Sequence, residues 1–150
     1  MKTKYMAGFI ALAATLSGCE SLDYTPGDQM SGQTFWQTED HARQAAVGLY
    51  AAMKADWCFG LEFTFDMCTD LADGTTPWSD ISRGTSFASN NSGVQNHWQY
   101  LYELVHRSNT VIRNVKNMPI SQQTIDRVTG EAKFLRAMAY FRMLNCWGGV

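Results

Sequence analysis

Cysteine is scarce, 4 residues in 150, which excludes a small scaffold held together by disulfides. Proline and glycine, at 3 and 12, are too few for a collagen-like or linker-like chain. Charge is sparse as well: 17% of residues are charged, and 12 Lys and Arg against 14 Asp and Glu leave a formal net charge of -2. With no dense Lys/Arg run to attract a phosphate backbone, no nucleic-acid partner is expected. A mean hydropathy of -0.24 excludes a protein of many membrane spans. What is present in quantity is apolar and aromatic side chain, 45% and 13% of the chain, enough for one folded unit of the usual ~100 to 150 residues, or part of one.

The N-terminus has the build of a secretory signal: Lys2 and Lys4, then an apolar stretch from Ala7 to Leu16, then the small residues Ser17 and Gly18. A helix of that length covers only about half of a ~30 Å hydrocarbon core, so it cannot anchor by spanning. The junction Leu16-Ser17-Gly18-Cys19 is similar to the lipobox of bacterial lipoproteins, which implies that Cys19 is acylated and becomes the first residue of the mature chain. The alternative is an ordinary signal peptide with a chance cysteine. Glu20 to Gly32 has Pro, Gly, Ser and Asp without apolar period and reads as a tether. Glu20 and Asp23 resemble the surface-export signals of some Gram-negative lipoproteins. The expected organisation is a signal peptide at 1–18, a tether at 19–32 and a helical part at 33–150.

The body reads as four helices. Thr38 is positioned as N-cap of a helix from Glu39 through Met53, with Ala42, Ala46, Leu49 and Met53 on one face. Phe59, Phe63, Met67 and Leu71 step by four and predict a second helix of about 12 residues, ended by Gly74 and Pro77. Val94, Trp98, Leu101, Val105, Ser108, Ile112 and Val115 give a long third helix, stopped by Pro119. Ile125, Val128, Ala132, Leu135, Ala139, Met143 and Cys146 give a fourth, broken by Gly148 and Gly149. Short connections at 54–57 and 117–121 predict two antiparallel helical hairpins, the minimum of an all-α solenoid. Trp147 and Val150 are left as apolar ends, so the chain is expected to be the N-terminal portion of a larger domain.

Between the second and third helices, Asp73 to Gly93 is a long polar loop carrying Trp78, Asp80, Arg83 and Phe87, and a loop of that length in a compact domain is usually functional or disordered. Its aromatics favour function. Trp78 lies outside every apolar stripe, so its removal is expected to leave the helices intact.

Catalytic and metal-binding patterns are missing. His41, His97 and His106 form no HExxH or i, i+4 pair, and no G-x-S-x-G, P-loop or G-x-G-x-x-G occurs, so neither cofactor nor metal is expected. Asp66 and Asp70 share a face of the expected second helix, but neighbouring carboxylates on one helix cannot flank a glycosidic bond. Cys58, Cys68 and Cys146 read as buried thiols, with a Cys58 to Cys68 bridge as the alternative.

One segment carries a specific resemblance. Gly130 to Val150, GEAKFLRAMAYFRMLNCWGGV, looks like the hallmark helix of the SusD/RagB family of outer-membrane nutrient-binding lipoproteins. Phe35-Trp36, the run Trp98, Leu101 and Tyr102, Asn109 and Ile112, and the L-S-G-C junction fall at matching places. The resemblance implies an all-α body of tetratricopeptide-like hairpins, no enzymatic activity, and a lipid-anchored protein at the outer membrane and cell surface. It also implies capture of a glycan or peptide and delivery to a SusC-like, TonB-dependent transport barrel. Glu131 and Arg136 are implied to order the packed hairpins. For the ligand, Trp78 with Arg83 suits a sugar: an indole face covers the C–H side of a pyranose while a guanidinium donates to hydroxyls. Asp80, Asn90 and Asn91 complete the candidate set, and the alternative for Trp78 is a packing anchor of the loop. A tetratricopeptide-like lipoprotein scaffold that binds only protein is the competing function.

Overall fold

The computed structural model describes residues 34–74, 77–85 and 91–150, which fall within one unit, Thr34–Val150. Cys19, Phe87 and Asn90 lie outside the described residues. Helix α1 spans Glu39–Met53, where the Thr38 hydroxyl accepts from the His41 amide at 3.2 Å and Glu39 and Asp40 occupy the positive end of the dipole. Its Ala42, Ala46 and Leu49 are buried, as the apolar period predicts.

The expected second helix does not form as an α-helix. In its place stand a π-helical turn at Asp56–Gly60 and a 3-10 segment at Glu62–Cys68. At Gly60 the chain doubles back so tightly on the end of α1 that a Cβ would lie 2.5 Å from the Lys54 carbonyl oxygen. That approach breaks the helical register between Cys58 and Thr64, the residues this stretch buries. Tertiary packing overrides a local period here. Asp66 and Asp70 therefore share no helix face.

The stretch expected to be irregular contains one turn of helix, α2, at Ser79–Ser82. Helix α3 spans Ser92–Val115 and α4 spans Gln122–Trp147, the latter capped by the Ser121 hydroxyl. Trp98 meets Trp147 at a ring separation of 5.1 Å, and Arg136 donates to Asn109 Oδ1 at 2.6 Å farther along, which fixes α3 and α4 as an antiparallel hairpin. Glu131 instead pairs with Arg127 of its own helix at 2.9 Å.

Small buried residues, Ser108 on α3 and Ala132 and Ala139 on α4, let the two long helices approach, and Leu101, Leu104, Leu135 and Met143 fill the space around them. Helix α1 packs against both. Its first residue is tied to the start of α4 through the Ser121 hydroxyl, which donates to Glu39 Oε1 at 2.6 Å. Those Ser121 contacts hold the Glu39 carboxyl below its ordinary value. The fold is all-α, with no strand among the described residues, and no described helix is long and apolar enough to cross a membrane.

Candidate functional site

At the end of the hairpin where α3 begins and α4 stops, the aromatic residues converge. Trp78 stacks on Trp57 with ring centroids 6.1 Å apart, lies 5.6 Å from Phe65 and meets the His97 ring edge-on at 6.1 Å. Trp147 stacks on the His97 ring at 5.7 Å. Phe65, Trp78, His97 and Trp147 wall a cavity of about 310 Å³, with Ile81 and Val94 between them and the thiols of Cys68 and Cys146 on its side. That volume sits at the small end of ligand pockets, the size for one ring rather than a long chain.

The walls come from elements with separate reasons to be there. Trp78 is placed by a pinned loop: Asn91 Oδ1 accepts from the Val94 amide at 3.0 Å, capping α3, while its Nδ2 donates to the Pro77 carbonyl at 2.7 Å. Gly93, in the first turn of α3, gives Pro77 room, since a Cβ there would stand 2.6 Å from Pro77 Cγ. The Ser79 hydroxyl donates to the Gly74 carbonyl at 2.9 Å and holds the near side of the same loop. Phe65 is held by Arg142, whose guanidinium carbon lies 4.4 Å from its ring centre and 4.9 Å from that of Phe59. Arg142 Nη2 also donates to both carboxylate oxygens of Glu62, at 2.7 and 2.8 Å, locking the 3-10 segment to α4.

His97 is the polar centre of the cavity. It is 3% exposed, and its Nδ1 lies 2.7 Å from the Trp57 carbonyl oxygen. A carbonyl only accepts, so Nδ1 carries the proton and Nε2 of the neutral ring is a bare acceptor. Nε2 is buried and has no hydrogen-bond partner among the described residues. Burial pulls the His97 pKa below its ordinary value, and Arg142 adds to this, while the Trp57 carbonyl and Glu62 act against it. The three described thiols are free, so the alternative Cys58–Cys68 bridge is not formed, and of the three expected to be buried only Cys58 is; Cys68 is half-buried and Cys146 exposed. Burial raises the pKa of each, with Cys58 pushed up to about 12, so all are uncharged near neutral pH.

Of the residues expected from the sequence to touch a ligand, Trp78 alone among the described ones lines this cavity. It is 7% exposed, a correction to the expectation that it stands apart from the packed residues. Arg83 pairs with Asp73 at 2.6 Å on the surface, and the Asp80 carbonyl accepts from the Thr85 amide at 3.0 Å in the turn after α2. Neither reaches the cavity wall. Asn91 is 3% exposed and committed to the cap and to Pro77. From the sequence His97 reads only as a histidine without metal-binding spacing and Trp147 as an apolar end, and Phe65 lies on an element read as packing. The signal available was helical spacing, His97 standing three residues after Val94 and four before Leu101 at the start of a long helix. Among the described residues no group of three His, Cys, Asp or Glu side chains could hold a metal ion.

The described residues thus form an all-helical unit that walls a small cavity with aromatic rings, a buried histidine and neutral thiols. The chain belongs to the SusD-like family, through a family model described as starch-binding, associating with outer membrane, which matches residues 21–150. It is similar to SusD-like protein P25 of Formosa agariphila, 26% identical over 162 residues that cover 99% of this chain and 31% of that protein. SusD-like protein P2 of the same organism is 26% identical over 153 residues, covering 98% and 30%. A SusD-like protein of Bacteroides ovatus is 28% identical over 161 residues, covering 100% and 28%. The chain thus spans about a third of the length of these relatives. No solved structure matches it significantly.

Proposed function

We propose that this chain is part of a lipid-anchored protein of the outer membrane surface that captures a glycan and passes it to a SusC-like, TonB-dependent transport barrel, without catalysing a reaction. The observation that carries the reading is the aromatic cavity in a chain whose family model is described as starch-binding. Stacking indole and phenyl faces suit the C–H face of a sugar ring, and a scaffold for protein partners alone has no use for such an aromatic pocket. Attachment rests on the Leu16-Ser17-Gly18-Cys19 junction: acyl chains on Cys19, at ~0.8 kcal/mol per buried methylene, hold a protein at a membrane without a spanning helix.

Affinity purification of the full-length protein from detergent-solubilised outer membranes tests the transport reading, and co-purification of a TonB-dependent barrel is the expected result. Cys19→Ala is expected to abolish acyl labelling and release the protein from the membrane fraction. Equal labelling of the variant would remove the lipoprotein reading.

A further inference from the structure

We propose that Cys68 and Cys146 form a disulfide once the protein is outside the cytoplasm, a bridge that ties the end of the 3-10 segment to the last turn of α4 across the wall of the aromatic cavity. The oxidising surroundings rest on the export reading above, and the choice of pair rests on the fold. Among the three described thiols only these two line one cavity. Cys58 is 2% exposed, and its Sγ donates weakly to the Tyr100 carbonyl of α3 at 3.9 Å.

The pairing follows from register. Glu62, Phe65 and Cys68 stand three residues apart in the 3-10 segment, so they share a face. Arg142 and Cys146 are four apart on α4 and also share one. Arg142 joins the two faces: it donates to Glu62 at 2.7 Å, and its guanidinium carbon lies 4.4 Å from the Phe65 ring centre. Three residues of 3-10 helix and four of α-helix each advance ~6 Å. The register set at Phe65 and Arg142 therefore carries over, one turn on, to Cys68 and Cys146. Phe65 and Cys146 accordingly lie together on the walls of this cavity and of a neighbouring groove that Arg142 also lines.

Cys146 is exposed and Cys68 half-buried, which sets the order of events. The Cys146 thiolate attacks one sulfur of a donor disulfide, that of a thiol–disulfide oxidoreductase or of oxidised glutathione, and expels one donor thiolate. The Cys68 thiolate then attacks Cys146 Sγ, closes the new S–S bond and expels the second donor thiolate. Two electrons pass to the donor, and the two protons lost by the cysteines end on its thiols. Cys68 gives up only a weak contact with the Thr64 carbonyl, at 3.7 Å. Burial raises the pKa of both thiols, and Cys146 adds to the rise at Cys68. Thiolates that their surroundings do not stabilise are poor leaving groups, so the bridge resists reduction.

The test uses the full-length protein, taken from outer membranes and unfolded in iodoacetamide, and a second sample reduced with dithiothreitol and then incubated with oxidised glutathione. Trypsin cuts after Arg142 and a glutamyl endopeptidase after Glu62, which puts Cys58, Cys68 and Cys146 on separate peptides. Mass spectrometry is expected to find the Cys68 and Cys146 peptides linked in both samples and Cys58 alkylated. Oxidised wild type is expected to melt several degrees above oxidised Cys146→Ser. Free Cys68 and Cys146 in the membrane sample, glutathione left on Cys146 without a link, a link from either to another cysteine, or equal melts would each overturn the proposal. Recovery of the protein from the cytoplasm instead of the membrane removes the export reading alone, and the glutathione sample then decides the pairing.

Discussion

Trp78 works in two capacities at once, because the ring that faces the cavity is also packed against Trp57 and Phe65. Its substitution is therefore expected to move two readouts. Trp78→Ala should lower stability by about 3 kcal/mol, the usual cost of deleting a buried aromatic, and should also weaken glycan binding. Thermal melts with parallel titrations check this, and an unchanged melt would mean that the indole is not packed as described. His97 makes a pH prediction through the same packing. Its folded pKa lies below the ordinary 6.5, so the unfolded chain takes up the proton first as pH falls. The stability held by the neutral ring is fully present above about 6.5 and declines below it, until the folded protein is protonated as well. Glu39, lowered from an ordinary 4.5, titrates below that window. Urea titrations between about pH 7.5 and 5 should show the midpoint falling with acid, and His97→Asn should flatten that slope.

At the scale of elements, what was legible in the sequence was whatever a period or a cap encodes. The 3-4 stepping of α3 and α4 and the Thr38 cap of α1 are local instructions, and the structure follows them. The segment from Asp56 to Cys68 carries the same kind of stepping but obeys a non-local constraint, the pull of Arg142 on Phe59, Phe65 and Glu62. None of those contacts is written in local spacing. The cavity was half legible for the same reason: Trp78 stood out as an aromatic in a polar loop, while Phe65, His97 and Trp147 needed three elements to meet. Asn91 shows the reverse error, a polar residue read as ligand-facing that the structure spends on capping α3 and holding Pro77. Asn91→Ala is expected to destabilise by ~1 to 2 kcal/mol and to disturb Trp78 fluorescence, since cap and loop tether go together. Asn91→Asp keeps the cap acceptor but loses the donor to Pro77, so it should recover most of the stability and little of the Trp78 environment. Equal behaviour of the two variants in both readouts would sever the link between cap and cavity.

On the scale of the whole molecule, α4 is apolar on two sides. Leu135, Ala139 and Met143 are fully buried against α1 and α3, yet Phe134, Phe141 and Leu144 are 65%, 64% and 54% exposed. Phe134 and Phe141 are seven residues apart and Leu144 follows by three, so they share one face. A helix with two apolar faces is built for burial on both, and an aromatic face left in water is a site of association. The unit Thr34–Val150 studied alone is therefore expected to bind a hydrophobic dye and to self-associate as its concentration rises. The two phenylalanines sit outside the core, so Phe134→Lys with Phe141→Lys should suppress dye binding and shift sedimentation to the monomer, while the urea midpoint changes by no more than the ~0.5 kcal/mol typical of surface substitutions. The control is Leu135→Ala, one residue along and fully buried, which should cost ~2 to 5 kcal/mol without reducing association. If the Lys pair unfolded the unit as Leu135→Ala does, the face would belong to the core of this unit. If the pair left association intact, the contact surface would lie elsewhere, with the next exposed apolar side chains, Val47 on α1 and Leu71 after the 3-10 segment, the first to substitute.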